Sequence, residues 1–221
     1  MTARVLVVGG AGQGRQAIDV LEAAGVHDVV GVVDRALAPG SAVAGYPVLG
    51  GDDELARRAE EVGATGVLVA IGDNFTRHAV FTAIRRECPG LEPVSAVHPA
   101  AVIARSATLG PGAIVMAGAV VSNHCVVGTG ALLGTHASID HDAVLDDFVS
   151  LAPSATTGGD VRIGTSTAVG LGANVIHGIT IGAHTVVGAG ALVLEDLPEC
   201  VVAHGVPARV ARERTPGERY L

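Results

Sequence analysis

From Ile103 to Val193 an aliphatic residue returns at every sixth position, and that period limits what the chain can fold into. Ile103, Leu109, Val115, Val121, Val127, Leu133, Ile139, Leu145, Leu151, Ile163, Val169, Val175, Ile181, Val187 and Val193 all fall on it; Thr157 is the one departure. The next residue is often glycine (Gly110, Gly128, Gly134, Gly164, Gly170, Gly182, Gly188), and the residue two before is mostly alanine. A helix repeats its apolar face every three to four residues and a half-buried strand every two, so a period of six fits neither. It fits short strands joined by tight turns, three to a triangular coil, each sending an aliphatic side chain inward. The expected fold of this region is a parallel β-helix.

Aromatic residues make up 2% of the 221 residues and tryptophan is absent. That would starve a sandwich or globin-like core but suits stacked Val, Ile, Leu and Ala. A formal net charge of −8 argues against a nucleic-acid surface, which needs clustered Lys and Arg. The opening MTARVLVVGG enters a strand with no charged leader or cleavage site, so we expect a cytoplasmic protein with no membrane span. Cys88, Cys125 and Cys200 lack CxxC spacing and read as buried thiols.

Residues 1–98 read as an α/β domain. Arg4 to Val8 is a strand, Gly9-Gly10-Ala11-Gly12-Gln13-Gly14 a turn, and a helical pattern runs through Ala24; a second strand, Val29 to Val33, ends at Asp34. Glycines in such a turn let the backbone approach a phosphate and aim N–H groups at it, while the carboxylate accepts from ribose hydroxyls. The alternative is a tight strand-to-helix turn that binds nothing. The segment has room for one mononucleotide-binding half, not the two that hold a dinucleotide. Ala36 to Gly51 reads as a Gly- and Pro-containing loop, Asp52 to Val62 as a helix and Val67 to Ile71 as a buried strand. A helix from Phe75 to Glu87 then carries Arg77. Asp73 and Asn74, at the carboxyl end of that strand, suit reading a base or hydroxyl, or capping the helix. Pro93 to Val97 reads as a last strand, and His98-Pro99 marks the boundary.

Chemistry is sought in the repeat, because nothing upstream sets a base beside a nucleophile. In Ser138-Ile139-Asp140-His141-Asp142, Ile139 takes the inward position and leaves His141 at an exposed corner between two carboxylates. An imidazole so placed is held in one tautomer with its pKa raised, ready to act as a general base. At Thr156-Thr157-Gly158-Gly159-Asp160 the broken step is expected to free a backbone N–H for an oxyanion. Arg209, Arg212 and Arg214 make a basic tail or meet the phosphates of a carrier such as coenzyme A.

GGAGQG at Gly9 to Gly14, AIGDN at Ala70 to Asn74, His98-Pro99, the hexapeptides, IDHD at Ile139 to Asp142 and GVPAR at Gly205 to Arg209 occur together. In this combination, over nearly its whole length, the chain resembles the bacterial sugar-nucleotide acetyltransferases: the bacillosamine- and perosamine-pathway N-acetyltransferases and the sialic acid O-acetyltransferases. The resemblance implies a nucleotide-binding domain (1–98), a left-handed β-helix (99–196) and a C-terminal extension near coenzyme A (197–221). It implies a homotrimer with active sites between subunits, acetyl-CoA as co-substrate, no metal and a nucleotide-linked amino sugar as acceptor. By similarity His141 is the general base and Asp142 orients it. Gly159 N–H would bind the acetyl oxygen, main-chain groups of Leu171 and Ala189 the pantetheine, and Arg209 the cofactor. Gly9, Gly12, Gln13, Gly14, Asp34, Asp73, Asn74 and Arg77 would line the sugar-nucleotide site. Gln13 and Ser150 stand where many members have histidine, so neither can supply a charge. The rival readings are sialic-acid-type O-acetylation, a zinc hydratase using imidazoles such as His136 and His141, and a non-catalytic nucleotide-binding scaffold.

Overall fold

A computed structural model describes residues 2–220. The chain begins with a parallel sheet flanked by helices. Strand β1 (Arg4–Val8) pairs with β2 (Asp28–Val33) on one side and β5 (Gly66–Val69) on the other. These strands are apolar on both faces because helices cover both. Helix α1 (Gly12–Ala24) buries Ala17, Ile18, Val20 and Leu21, and stops at Gly25, whose left-handed backbone returns its N–H to Leu21 O. Beyond lie β3 (Ala42–Val43), β4 (Tyr46–Gly50), α2 (Leu55–Val62), α3 (Asn74–Glu87) and β6 (Glu92–Pro93), with sheet order β3-β4-β2-β1-β5-β6.

Three expectations change here. The segment from Ala36 to Gly51 is no plain loop: β3 and β4 form a hairpin, and β4 extends the parallel sheet beside β2. Its turn residues Ala44 and Gly45 both have positive φ (46° and 86°), the geometry a two-residue hairpin needs. Pro47 is tolerated in β4 because that strand lies near the sheet edge. The helix expected from Asp52 opens instead as a short 3-10 turn, Asp52–Glu54. The strand expected from Pro93 to Val97 is split. Val94 N–H bonds to Val67 O in the α/β sheet, whereas Ala96 N–H bonds to Ala113 O in the first coil, so the β-helix starts ahead of His98.

From Ala96 onward each six-residue step makes a two-residue strand and a turn. The strands stack in three parallel sheets, each residue paired with the one 18 further on (Val120 with Ser138, Ile139 with Thr157). With the α/β domain ahead of it, this is the left-handed β-helix architecture expected. Each flat turns two side chains inward, the sixth-position aliphatic and the small residue two before it, and together they form one continuous core. Thr157 does not break the repeat: it is buried in register between Ile139 and Val175, its hydroxyl without a partner among the described residues. Val201–His204 joins the first sheet and pairs antiparallel with Arg209–Glu213, turning the chain back.

The three flats meet at three corners, and one corner holds the α/β domain. Arg77, on α3, is 1% exposed and donates to Gly130 O (2.8 Å) and Phe148 O (3.0 Å), one coil apart, while Asn74 donates to Thr167 O (3.0 Å) on the next. His78 stacks on Phe148 (centroids 4.2 Å) and Phe81 meets it edge-on (5.5 Å). No described helix is long and apolar enough to cross a membrane.

Candidate active site

Two groups of residues carry the site. The first surrounds a cavity of about 660 Å³ at the carboxyl ends of β1, β2 and β5, walled by Gly9, Gln13, Asp34, Asp73 and Thr76 among others. The glycine turn is built for close approach. A Cβ on Gly14 would fall 2.0 Å from Gly9 O, so α1 starts this close to the turn only with glycine there; one on Gly9 (φ 104°) would fall 2.8 Å from Ala70 O, where the turn passes the end of β5. Asp34 shapes the turn, accepting from Gly10 N–H (2.7 Å) and Ala36 N–H (2.8 Å). Asp73 caps α3, accepting from the N–H and hydroxyl of Thr76. Gln13 Nε2 is buried without a partner among the described residues, a donor that a ligand acceptor can satisfy.

Gly12 and Gly14 shape this turn without lining the cavity. Asn74 and Arg77, expected beside the nucleotide, belong to the domain seam instead: both are fully buried against the β-helix, and Arg77 also holds Asn74 Oδ1 (2.8 Å). Burial pulls the Arg77 guanidinium down to about 10, so it stays charged at neutral pH. Sequence reading missed Arg35, Asp52 and Arg219 on the cavity wall. Arg35 and Asp52 form a two-point ion pair (2.8 and 2.6 Å) that raises the guanidinium and lowers the carboxyl. Arg35 could have been noticed beside Asp34; nothing local marks Arg219.

The second group is a column at another corner. His141, Gly159, His177 and Glu195 occupy equivalent turn positions on successive coils. His141 Nδ1 lies 2.8 Å from Asp142 Oδ2, while Asp140 Oδ1 accepts from the His141 N–H. The imidazole pKa is raised, chiefly by the Asp142 hydrogen bond and then by the charges of Asp140, Asp142 and Asp160, against an opposing desolvation effect. Gly159 makes room for the ring: a Cβ there would come within 2.6 Å of His141 Cε1 and Nε2. The kink expected over Thr156 to Asp160 is absent: Gly158 N–H bonds to Val175 O (2.8 Å) as at other steps. The Gly159 N–H finds no acceptor among the described residues. Leu171 and Ala189 share the corresponding position at the third corner, and their N–H groups likewise find no acceptor among the described residues. Arg209 is exposed, 4.0 Å from Glu195 on the His141 column. His136 sits at a different corner from His141, over Gly118.

Residues 4–84 match the family model described as the PglD N-terminal domain. Over 96% of this chain and 99% of the other, the structure superposes on a histidine-to-asparagine variant of perosamine N-acetyltransferase from Caulobacter crescentus, in complex with CoA and GDP-perosamine, at 38% identity and a TM-score of 0.90. The chain belongs to the bacterial sugar acetyltransferases of the hexapeptide-repeat type. Another of these acetyltransferases, the acetyltransferase domain of PglB from Neisseria gonorrhoeae in complex with acetyl coenzyme A, matches at 31% identity and a TM-score of 0.88 over 95% of this chain and 100% of that one. WeeI from Acinetobacter baumannii shares the fold at 23% identity and a TM-score of 0.80, covering 95% of this chain and all of the other. Comparison with curated protein sequences finds no match. Within this acetyltransferase Ser150 lies on the coil that faces the domain seam, in the strand between Leu132–Leu133 and Ala168–Val169.

Proposed function

We propose that this acetyltransferase moves the acetyl group of acetyl-CoA to the amino group of a nucleotide-linked amino sugar, with His141 as general base. The observation that carries the reading is the His141–Asp142 pair set over the open amide of Gly159. With Nδ1–H donated to Asp142, Nε2 keeps its lone pair beside Gly159. It takes the proton as the amine attacks the thioester carbonyl, the Gly159 N–H holds the oxygen as it gains charge, and coenzyme A departs as a thiolate. Orientation in a rigid corner supplies much of the remaining rate. The perosamine enzyme, with CoA and GDP-perosamine bound in its structures, supports both the donor and the acceptor class. The glycine-turn cavity then takes the nucleotide, with Asp34 and Gln13 on its wall, and the amides of Leu171 and Ala189, without acceptors among the described residues, suit the carbonyls of the pantetheine arm.

The same geometry supports a homotrimer. In one protomer the cavity, the His141 column and the Leu171–Ala189 column belong to three different corners, so a site using all three needs neighbouring copies, and a closed ring is the ordinary way to supply them.

The test is thiol release from acetyl-CoA against UDP-, GDP- and dTDP-linked 3- and 4-amino sugars, with sialic acid alongside. Release with one amino sugar establishes the reaction and names the nucleotide. Release with sialic acid alone makes the protein an O-acetyltransferase, and silence throughout sinks the assignment.

The raised pKa of His141 gives a second expectation. A base works unprotonated, so turnover should rise with pH along a limb above the ordinary imidazole value of about 6.5. Asp142→Asn removes the main cause of the shift, and the limb should move to lower pH as the maximal rate falls. A pH profile of kcat with an unmoved limb would detach Asp142 from the base.

A further inference from the structure

Residues 214–220 run back from the last coil to the α/β domain, held at three points. Arg214, 8% exposed, donates to the carbonyls of His184 and Glu218 and lies 5.5 Å from the centre of the Tyr220 ring. Gly217 packs against Phe75, where a Cβ would approach the ring to 3.0 Å. The Tyr220 hydroxyl accepts from Asn74 N–H at 3.4 Å. Between the last two anchors, Arg219 comes to the wall of the cavity, with Gly9, Gln13, Asp34 and Asp73.

The charges on that wall leave Arg219 conspicuous. Asp34, Asp52 and Asp73 are carboxylates; Arg35 is the other cation, and it is committed to Asp52 through both arms of its guanidinium. Arg219 makes no ion pair within 4.0 Å among the described residues. The Gly10 amide is already given to Asp34, so the turn itself offers fewer donors than its glycines suggest. A nucleoside diphosphate entering here meets three carboxylates, the partial positive charge of the α1 N-terminus and a single uncommitted cation.

We propose that Arg219 is the counter-charge for the diphosphate of the bound nucleotide, and that residues 214–220 are the strap that holds it there. The inference rests on the reading that this cavity holds the nucleotide. It predicts recognition by charge: a diphosphate should depend on Arg219, and the corresponding nucleoside should not.

The experiment is calorimetry on the full chain with GDP, UDP and dTDP, each beside its nucleoside, at low and high salt. For whichever diphosphate binds tightest, Arg219→Gln should weaken affinity roughly 10- to 100-fold, the effect of losing a charge-assisted contact, and flatten the salt dependence. Nucleoside affinity should hold, and Arg219→Lys should keep most of the diphosphate affinity. If the unaltered protein binds no diphosphate, the cavity reading itself fails, and the inference with it. Equal diphosphate binding by the unaltered protein and Arg219→Gln overturns the role of Arg219 alone. Parallel loss of diphosphate and nucleoside overturns it too, showing the strap to matter by shape and not by charge.

Discussion

Replacing His141 with asparagine should lower turnover by about 100-fold or more while leaving acetyl-CoA affinity close to that of the unaltered protein. Asparagine is near the imidazole in reach and can still hydrogen-bond to Asp142, but it has no titrating nitrogen, so proton removal from the amine is what is lost; a positioned base contributes roughly 10²- to 10⁴-fold. The amides of Gly159, Leu171 and Ala189, which find no acceptor among the described residues, are untouched, which is why cofactor binding should survive. Steady-state kinetics give the first quantity and calorimetry with acetyl-CoA the second. Near-normal turnover would remove His141 from the role of base. A loss of affinity matching the loss of rate would make it a binding residue.

The largest effect on stability is expected from Arg77→Ala. The side chain donates to the carbonyls of Gly130, Phe148, Ile71 and Gly72 at 2.8 to 3.1 Å and to Asn74 Oδ1, and it is 1% exposed. Truncation strands those acceptors and opens a hole between the domains. Each buried unsatisfied group costs about 1–3 kcal/mol, but the native state also spends energy desolvating the guanidinium, as its depressed pKa records. The net loss should be about 3–5 kcal/mol, the range for stripping one partner from a buried charged network. Arg77→Lys should recover only part of it, because an ammonium cannot spread its donors as the planar fork does. Denaturant unfolding tests this. The α/β domain should melt ahead of the β-helix in the alanine variant, and an unchanged midpoint would show the seam to be held by other contacts.

The β-helix was legible because its period is written along the chain, each coil contacting only its neighbours, so local spacing already states the tertiary contact. The His141–Asp142 pair was legible for the same reason: once Ile139 is fixed inward, the corner that follows is fixed outward. What escaped was decided at a distance. Asn74 and Arg77 stand at the end of a parallel strand, where ligands bind, and nothing nearby says that α3 turns them toward a β-helix corner. Thr157 looked like a break because its polarity was weighed above its shape; branched at Cβ like valine, it fills the same place in the stack. The β3–β4 hairpin was hidden by Ala44, an unusual residue at a position of positive φ, and Arg219 reaches the cavity only through the path of the strap.

The use of one corner for docking, one for the His141 column and one for the Leu171–Ala189 column gives the sequence a phase. Removing or adding a whole coil of 18 residues shifts later rungs along the axis by about 4.8 Å and leaves each corner with its own task. A change of six keeps the core filled, yet turns every later rung by one corner, carrying the His141 imidazole round to a different edge of the prism. Two indels equally harmless to folding would thus have opposite fates for activity, and lineages of such enzymes should have changed length in whole coils wherever the change falls between the seam and the last functional rung.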